Sequence, residues 1–336
     1  MKVSRIQLDH GAGGRASQEL VSGTFLPALE NPILGELNDS ALLDIKGMRL
    51  AMSTDSYVVD PIFFPGGDIG SLAIHGTVND LAMRGAQPLY LSVGFILEEG
   101  LEVVVLERLV DSMAAAAREA EVKVVAADTK VVPRGKADRI YINSAGIGAI
   151  PPGVEVAGQN GQVGDVVLIN GPMGDHGVAV LSTREGLSFQ TGVKSDSASL
   201  NTLVADMLAA SRKIHVMRDP TRGGVATALN EVALQSGVGI RLEEQRLPTR
   251  SAVNAACEML GLDPLYVANE GKVLVFVAPE DADLVLSAMH RHRLGREACK
   301  IGEVVSDHPG RVVLQTGIGG TRIVDMLSGE QLPRIC

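Results

Sequence analysis

The chain has 336 residues, of which 46% are hydrophobic and 21% charged, enough for two globular domains of ordinary size. A formal charge of −10, 3% aromatic residues and no tryptophan leave no basic tract for a phosphate backbone and few rings for base stacking, which argues against nucleic acid as a partner. The opening MKVSRIQLDHGAGG lacks the apolar stretch of a signal peptide, and no run of about 18 apolar residues occurs, so the expectation is a cytoplasmic protein that is neither exported nor membrane-inserted.

In chain order, HGAGG (10–14) precedes a helix expected from about Ala16. Residues 101–121 have apolar side chains at helical spacing, followed by β-rich strands at 122–128 and 139–150. The Gly- and Pro-rich stretch 151–165 has little periodicity and is read as the boundary between two halves. Beyond it come a strand at 166–171, a helix at 196–212, a helix at 224–235 opening directly after RDPTRGG, a strand at 272–278, a helix at 280–291, and strands at 300–305 and 311–316. Residues 316–331 show no strong period. Helices and strands mixed in both halves predict an α/β or α+β fold in each. No repeat of fixed period is present. The domains are drawn as 1–155, 156–318 and a flexible tail, 319–336.

Three cysteines (Cys257, Cys299, Cys336) without a C-x-x-C pair support neither a disulfide framework nor a thiolate zinc site. Cys336 ends the sequence, in the run Pro333-Arg334-Ile335-Cys336. A terminal thiol on a strap is suited to act as a covalent handle, or is inert; prenylation is excluded because its signal needs the cysteine four places from the end. At a reference pKa of about 8.5 little of it is thiolate at neutral pH, so acylation needs a partner active site to deprotonate it.

Aspartates recur beside small or turn residues: Asp39 in NDSA, Asp55 in STDSY, Asp80 in TVNDLA, Asp128 in AADTK and Asp219 in MRDPTRGG. Hard cations take such oxygens, and Mg²⁺ commonly uses one or two carboxylates while bridging nucleotide phosphates. Each also suits a helix N-cap or turn. HGAGG and TRGG offer backbone amides to an anion at helix starts, or plain turns; neither a P-loop nor a dinucleotide fingerprint is present. Lys130, two residues after Asp128 on one strand face, is placed either to neutralise phosphoryl charge or as a surface lysine in a salt bridge. Glu270, in the polar loop ANEGK before an apolar strand, is a candidate general base. His176 in GDHG is read as a structural hydrogen-bonding residue or a proton carrier, and His75, in an apolar stretch, as structural.

Together these segments resemble, nearly end to end, the HypE family of nickel–iron hydrogenase maturation proteins, carbamoyl dehydratases in the aminoimidazole-ribonucleotide-synthetase-like (PurM-like) ATP-binding superfamily. The resemblance rests on HGAGG, STDSYVVDPIFFPGGDIG (53–70), TVNDLAMRGA (77–86), FILEEG (95–100), DTKVV (128–132), GDHG (174–177), RDPTRGG (218–224), NEGK (269–272) and the PRIC ending; PRIC and STDSYVVDP are the most specific. Arg84 departs from it, standing where a small or apolar residue is expected.

The resemblance implies a two-domain PurM-like fold whose N-terminal sheet forms a dimeric barrel, with a C-terminal α/β sandwich and a flexible tail. It implies that ATP and Mg²⁺ are bound through Gly11, Gly13, Gly14, Asp39, Asp55, Asn79, Asp80, Asp128 and Asp219, with Asp39, Asp55, Asp80 and Asp128 at the metal. Cys336, Lys130, Glu270 and Arg334 would be catalytic: a carbamoyltransferase, HypF, loads Cys336 as an S-carboxamide, ATP activates its oxygen, and elimination leaves a thiocyanate whose cyanide passes to iron on HypC–HypD. Glu270 takes the proton, Lys130 stabilises charge, and Arg334 clamps the tail onto a carboxylate in the cleft. The alternatives are a small-molecule kinase resembling thiamine-monophosphate kinase, and a non-catalytic nucleotide-binding scaffold.

Overall fold

The structure, a computed structural model, describes residues 5–29, 31–184, 192–329 and 334–336. In the first half, the Ala41–Ile45 and Met48–Tyr57 strands form a hairpin turning at Lys46-Gly47, both with φ above +50°, where the Asp44 carboxylate accepts the Gly47 N–H at 2.9 Å. Five strands lie side by side in the order Ala41–Ile45, Met48–Tyr57, Ile140–Ala149, Gln87–Glu98, Lys123–Val132. Only the last pair is parallel, joined by the Val103–Glu119 helix. That helix buries Leu109, Met113, Ala116 and Ala117, one face at helical spacing.

The Ile69–Met83 helix runs across the sheet and buries every residue except Ser71 and Asp80. It starts sharply because the Asp68 carboxylate accepts the Ser71 N–H at 2.9 Å. Gly76 allows the close approach to the strands, since a Cβ there would run into the Tyr57 hydroxyl. Arg84, just past its end, is buried, and its guanidinium reaches Glu36 at 3.2 Å.

The second half carries seven strands in the order Thr321–Val324, Arg311–Gln315, Gly239–Glu243, Cys299–Val305, Val166–Ile169, Leu274–Val277, Ile214–Arg218. Both faces are covered. Leu168 and Val275 join the Asn201–Ala210 and Ala282–Arg291 helices in a core continuous with the first half. Val167, Ile169 and Phe276 pack on the Gly224–Ser236 helix behind. This alternation within one strand is what a two-sided sheet requires.

Two expectations shift. The helix expected from residue 196 begins at Asn201, because 196–200 is tied down outside it by Asp196 to Lys272 (2.8 Å), Ser197 to His75 (2.9 Å), and Asn79 to both Ala198 and Leu200. The segment taken as a flexible tail from 319 contains the Thr321–Val324 strand, paired antiparallel with Arg311–Gln315. Met326 and Leu327 after it are buried. Pro333 lies outside the described residues. No described helix is long and apolar enough to cross a membrane.

Candidate active site

A cavity of about 280 Å³ opens between the halves. Six carboxyl groups line it, from Asp39, Asp55, Asp80, Asp219, Glu231 and Glu270, against two guanidinium groups, Arg218 and Arg222; Cys336 lines it too. Asp55 comes from the Met48–Tyr57 strand, where the Tyr57 hydroxyl donates to it at 3.1 Å. Asp80 is the polar break in the buried helix and accepts from Ser53 Oγ at 2.5 Å. Asp219 follows the Ile214–Arg218 strand, and Gly223 and Gly224, both with positive φ, turn the chain into the Gly224–Ser236 helix. A Cβ on Gly224 would sit 2.5 Å from the Leu265 carbonyl. Thr227 and Ala228, in that helix's first turns, reach the cavity wall, so the positive end of the helix dipole lies beside it.

The charges are out of balance. Burial lifts Asp39 to a pKa of about 6 despite Arg218 at 2.9 Å. Burial and the neighbouring Asp55, Asp219 and Asp39 hold Asp80 well above the carboxylate range. Asp219 is raised by burial and by Asp39. Glu270 is 3% exposed and raised well above its usual value, first by burial and then by Asp219. Its Oε1 has no hydrogen-bond partner, while its N–H donates to Asp196 Oδ1 at 3.1 Å. Carboxylates crowded in this way attract hard cations. No three His, Cys, Asp or Glu side chains among the described residues converge into a metal cage of their own.

The end of the chain is docked. Val58 and Asp60 N–H donate to the carbonyls of Cys336 (3.0 Å) and Arg334 (3.2 Å), and the Arg184 guanidinium donates to the Arg334 carbonyl at 2.8 Å. Ile335 is 3% exposed in the main core. Burial pushes the Cys336 thiol up to about 12, with Arg222 opposing. The sulfur therefore rests as a neutral thiol among acids.

Of the residues singled out in the sequence, Asp39, Asp55, Asp80, Asp219, Glu270, Gly13 and Cys336 meet at the cavity. Gly14 caps the Arg15–Leu20 helix against Leu327, and Gly11 is exposed, so neither lines it. Asn79 lies behind the wall, donating to the Glu270 carbonyl at 3.2 Å. Asp128 and Lys130 stand apart, paired with each other at 2.6 Å on the exposed Lys123–Val132 strand, the far edge of the sheet from Asp39. Arg334 pairs with Asp138, an exposed carboxylate that does not line the cavity, and not with one inside the cleft. Sequence reasoning missed Arg218, Arg222, Tyr57 and Glu231. The two arginines were visible in RDPTRGG, but nothing in the spacing distinguishes a lining guanidinium from a solvated one.

The family model for AIR synthase related proteins matches residues 37–150 through its N-terminal domain and 162–315 through its C-terminal domain. "Carbamoyl dehydratase HypE" of Rhizobium leguminosarum bv. viciae is 57% identical over 99% of this chain and 95% of its own length. A crystal structure of HypE in complex with ATP shares 54% identity and a TM-score of 0.84, covering 99% of this chain and all of that one. HypE from a HypE–HypF complex superposes with a TM-score of 0.88 at 48% identity, over 92% of this chain and 99% of that one. A thiamine monophosphate kinase of 19% identity and TM-score 0.68 shares the fold alone. The chain belongs to the carbamoyl dehydratase HypE family, enzymes built on the two-domain scaffold of AIR synthase related proteins.

Proposed function

We propose that this protein uses ATP to dehydrate a carbamoyl group carried on its own Cys336, turning an S-carboxamide into a thiocyanate, the source of a cyanide ligand for hydrogenase iron. The observation that carries the reading is the seat of Cys336 in the carboxylate-lined cavity, docked by its own backbone. The amide oxygen attacks the terminal phosphorus of ATP, ADP leaves, and nitrogen gives up one proton as the imidate forms. Loss of the second proton breaks the C–O bond, releases phosphate and leaves S–C≡N. Glu270, with a free oxygen, is the proton acceptor in its ionised form, the form that Arg222 favours against burial. Arg222 supplies positive charge beside the sulfur. Docking makes the step intramolecular, where effective molarities can reach about 10⁵ M.

Mg²⁺ held by one or two carboxylates of the set Asp39, Asp55 and Asp80, with Asp219 close by, would take its remaining ligands from phosphates and water and neutralise phosphate charge as a Lewis acid. The Lys123–Val132 strand, exposed along nearly all its length at the sheet's outer edge, supports a homodimer in which edges pair between copies and carry Asp128 and Lys130 toward a partner's site. The Arg334–Asp138 pair fits a clamp that holds the tail from outside the cavity. HypF would load the thiol outside the cleft, where its pKa returns to the ordinary range, and HypC–HypD would receive the cyanide.

Intact mass after incubation with HypF, carbamoyl phosphate and ATP tests this: a carbamoyl adduct should form and then lose one water. An adduct that persists unchanged with ATP present would sink the reading. ATP turnover that survives removal of Cys336 would favour a kinase instead.

A further inference from the structure

His176, the second residue of the Asp175–Arg184 helix, has no solvent exposure and no place in the cavity wall. Its ring stands edge-on to Phe64, with centroids 5.4 Å apart and planes at 88°. Both nitrogens are engaged: Nε2 lies 2.8 Å from the Ile335 carbonyl oxygen, and Nδ1 2.8 Å from Ser195 Oγ. A carbonyl only accepts, so Nε2 carries the proton. Burial lowers the ring's pKa and keeps it neutral, which leaves Nδ1 to accept from the Ser195 hydroxyl. That hydroxyl accepts the Ser197 N–H at 3.0 Å, and the Ser195 N–H donates to Pro65 O at 2.7 Å. Phe64 and Ser195 thus hold the ring from two sides, and the Ile335 carbonyl completes the choice of tautomer.

The tail's carbonyls divide between two flanks. Those of Arg334 and Cys336 turn to the backbone of Asp60 and Val58, and the one between them turns to His176. A slip by one residue would exchange the flanks, bringing the Ile335 side chain out of the core and swinging the sulfur off the cavity. Backbone donors two residues apart distinguish registers poorly by themselves, because every residue of the tail offers a carbonyl. A fixed ring donor on the opposite flank distinguishes them.

We propose that His176 is a positioning residue, a register pin that holds the Ile335 carbonyl and so sets the Cys336 sulfur against the carboxylate cavity. Its chemical consequence rests on the reading of Cys336 as the carrier, whereas the docking itself does not. The test compares His176→Phe, which keeps the ring's bulk without the donor, with His176→Gln, whose amide N–H reaches the same carbonyl.

Two rates are read: alkylation of Cys336 by iodoacetamide, located by peptide mapping, and dehydration of the HypF-loaded tail. His176→Phe is expected to raise the alkylation rate about 10-fold and slow dehydration about 100-fold, the loss that an ångström of misplacement brings. ATP affinity should stay that of the wild type, the thermal midpoint should fall by a few degrees as Ile335 leaves the core, and His176→Gln should restore both rates. Unchanged rates in His176→Phe, or a Gln variant no better than Phe, would overturn the proposal. If His176→Phe does not fold, Ser195→Ala, which releases the tautomer, should unmask Cys336 more weakly, and no unmasking there is equally fatal. A wild type that never dehydrates while His176→Phe still unmasks the thiol upholds the pin and sinks the dehydratase reading.

Discussion

Cys336 and Glu270 share a cavity in which burial pushes both toward their neutral forms. For the thiol, docking raises the pKa from its ordinary 9.0 to about 12. A group raised in the docked state contributes fully below the undocked value and loses that contribution as pH rises toward the docked one. Tail docking, followed by a distance probe between the tail and the core, should therefore weaken between pH 9 and about 12, and a Cys336→Ser tail should not respond over that window. Asp39 follows the same sign from another starting point. Its folded pKa of about 6 against 3.8 means that its carboxylate costs stability at neutral pH, a cost relieved as pH falls through about 6. Asp39→Asn should flatten that part of the stability–pH curve while weakening Mg-ATP binding about 10-fold, the cost of one charge-assisted contact. Glu270→Gln keeps the shape and removes the acceptor: loading and ATP affinity should persist while dehydration falls about 10²- to 10⁴-fold, the range of general base catalysis. These acids were legible in the sequence, Asp39 as a turn-flanked aspartate and Glu270 as a glutamate in a polar loop before an apolar strand. Their convergence was not, because it joins residues from both halves of the chain.

The elements divide by how much of each faces water. The Val103–Glu119 helix was readable because it buries one face and leaves the other in solvent, which imprints a 3.6-residue period. The Ile69–Met83 helix, buried on all sides, carries no stripe and gave no signal beyond the TVND motif within it. The Thr321–Val324 strand was missed because a short edge strand with three of four residues exposed reads as loop. The first part of the Lys123–Val132 strand was expected, over 122–128, from its β-branched content, although among its ten residues only Val132 is even partly buried. That exposure carries a prediction. Val125 (61% exposed) and Val131 (66% exposed) lie on an open edge, and a lysine at such a place blocks edge pairing. Val125→Lys should convert a homodimer to monomer in sedimentation at unchanged far-UV circular dichroism. A variant that sediments as the wild type would remove the support for edge-to-edge pairing.

At the scale of the molecule, the cavity is a joint. Asp39, Asp55 and Asp80 enter from the first half, Asp219, Arg222 and Glu270 from the second, and the tail closes over both. The core running through the two halves is continuous, so a ligand at the joint stabilises the whole chain and not one domain. Six carboxyl groups against two guanidinium groups make a poor receptor for a bare triphosphate, since like charges in a part-buried space repel strongly. ATP with Mg²⁺ should therefore raise the thermal midpoint as one cooperative transition, by about 2.7 kcal/mol at 100 times its dissociation constant, or several degrees for a chain of this size. ATP with a chelator should leave the midpoint where it was. Asp80→Asn removes the most crowded of the acids, raised by burial and three neighbouring carboxylates. It is expected to raise the midpoint of the free protein slightly and to abolish the nucleotide-dependent increment. An equal shift with and without Mg²⁺ in the wild type would mean that the arginines and the helix N-terminus hold the phosphates unaided, and that the acid cluster serves something other than a cation.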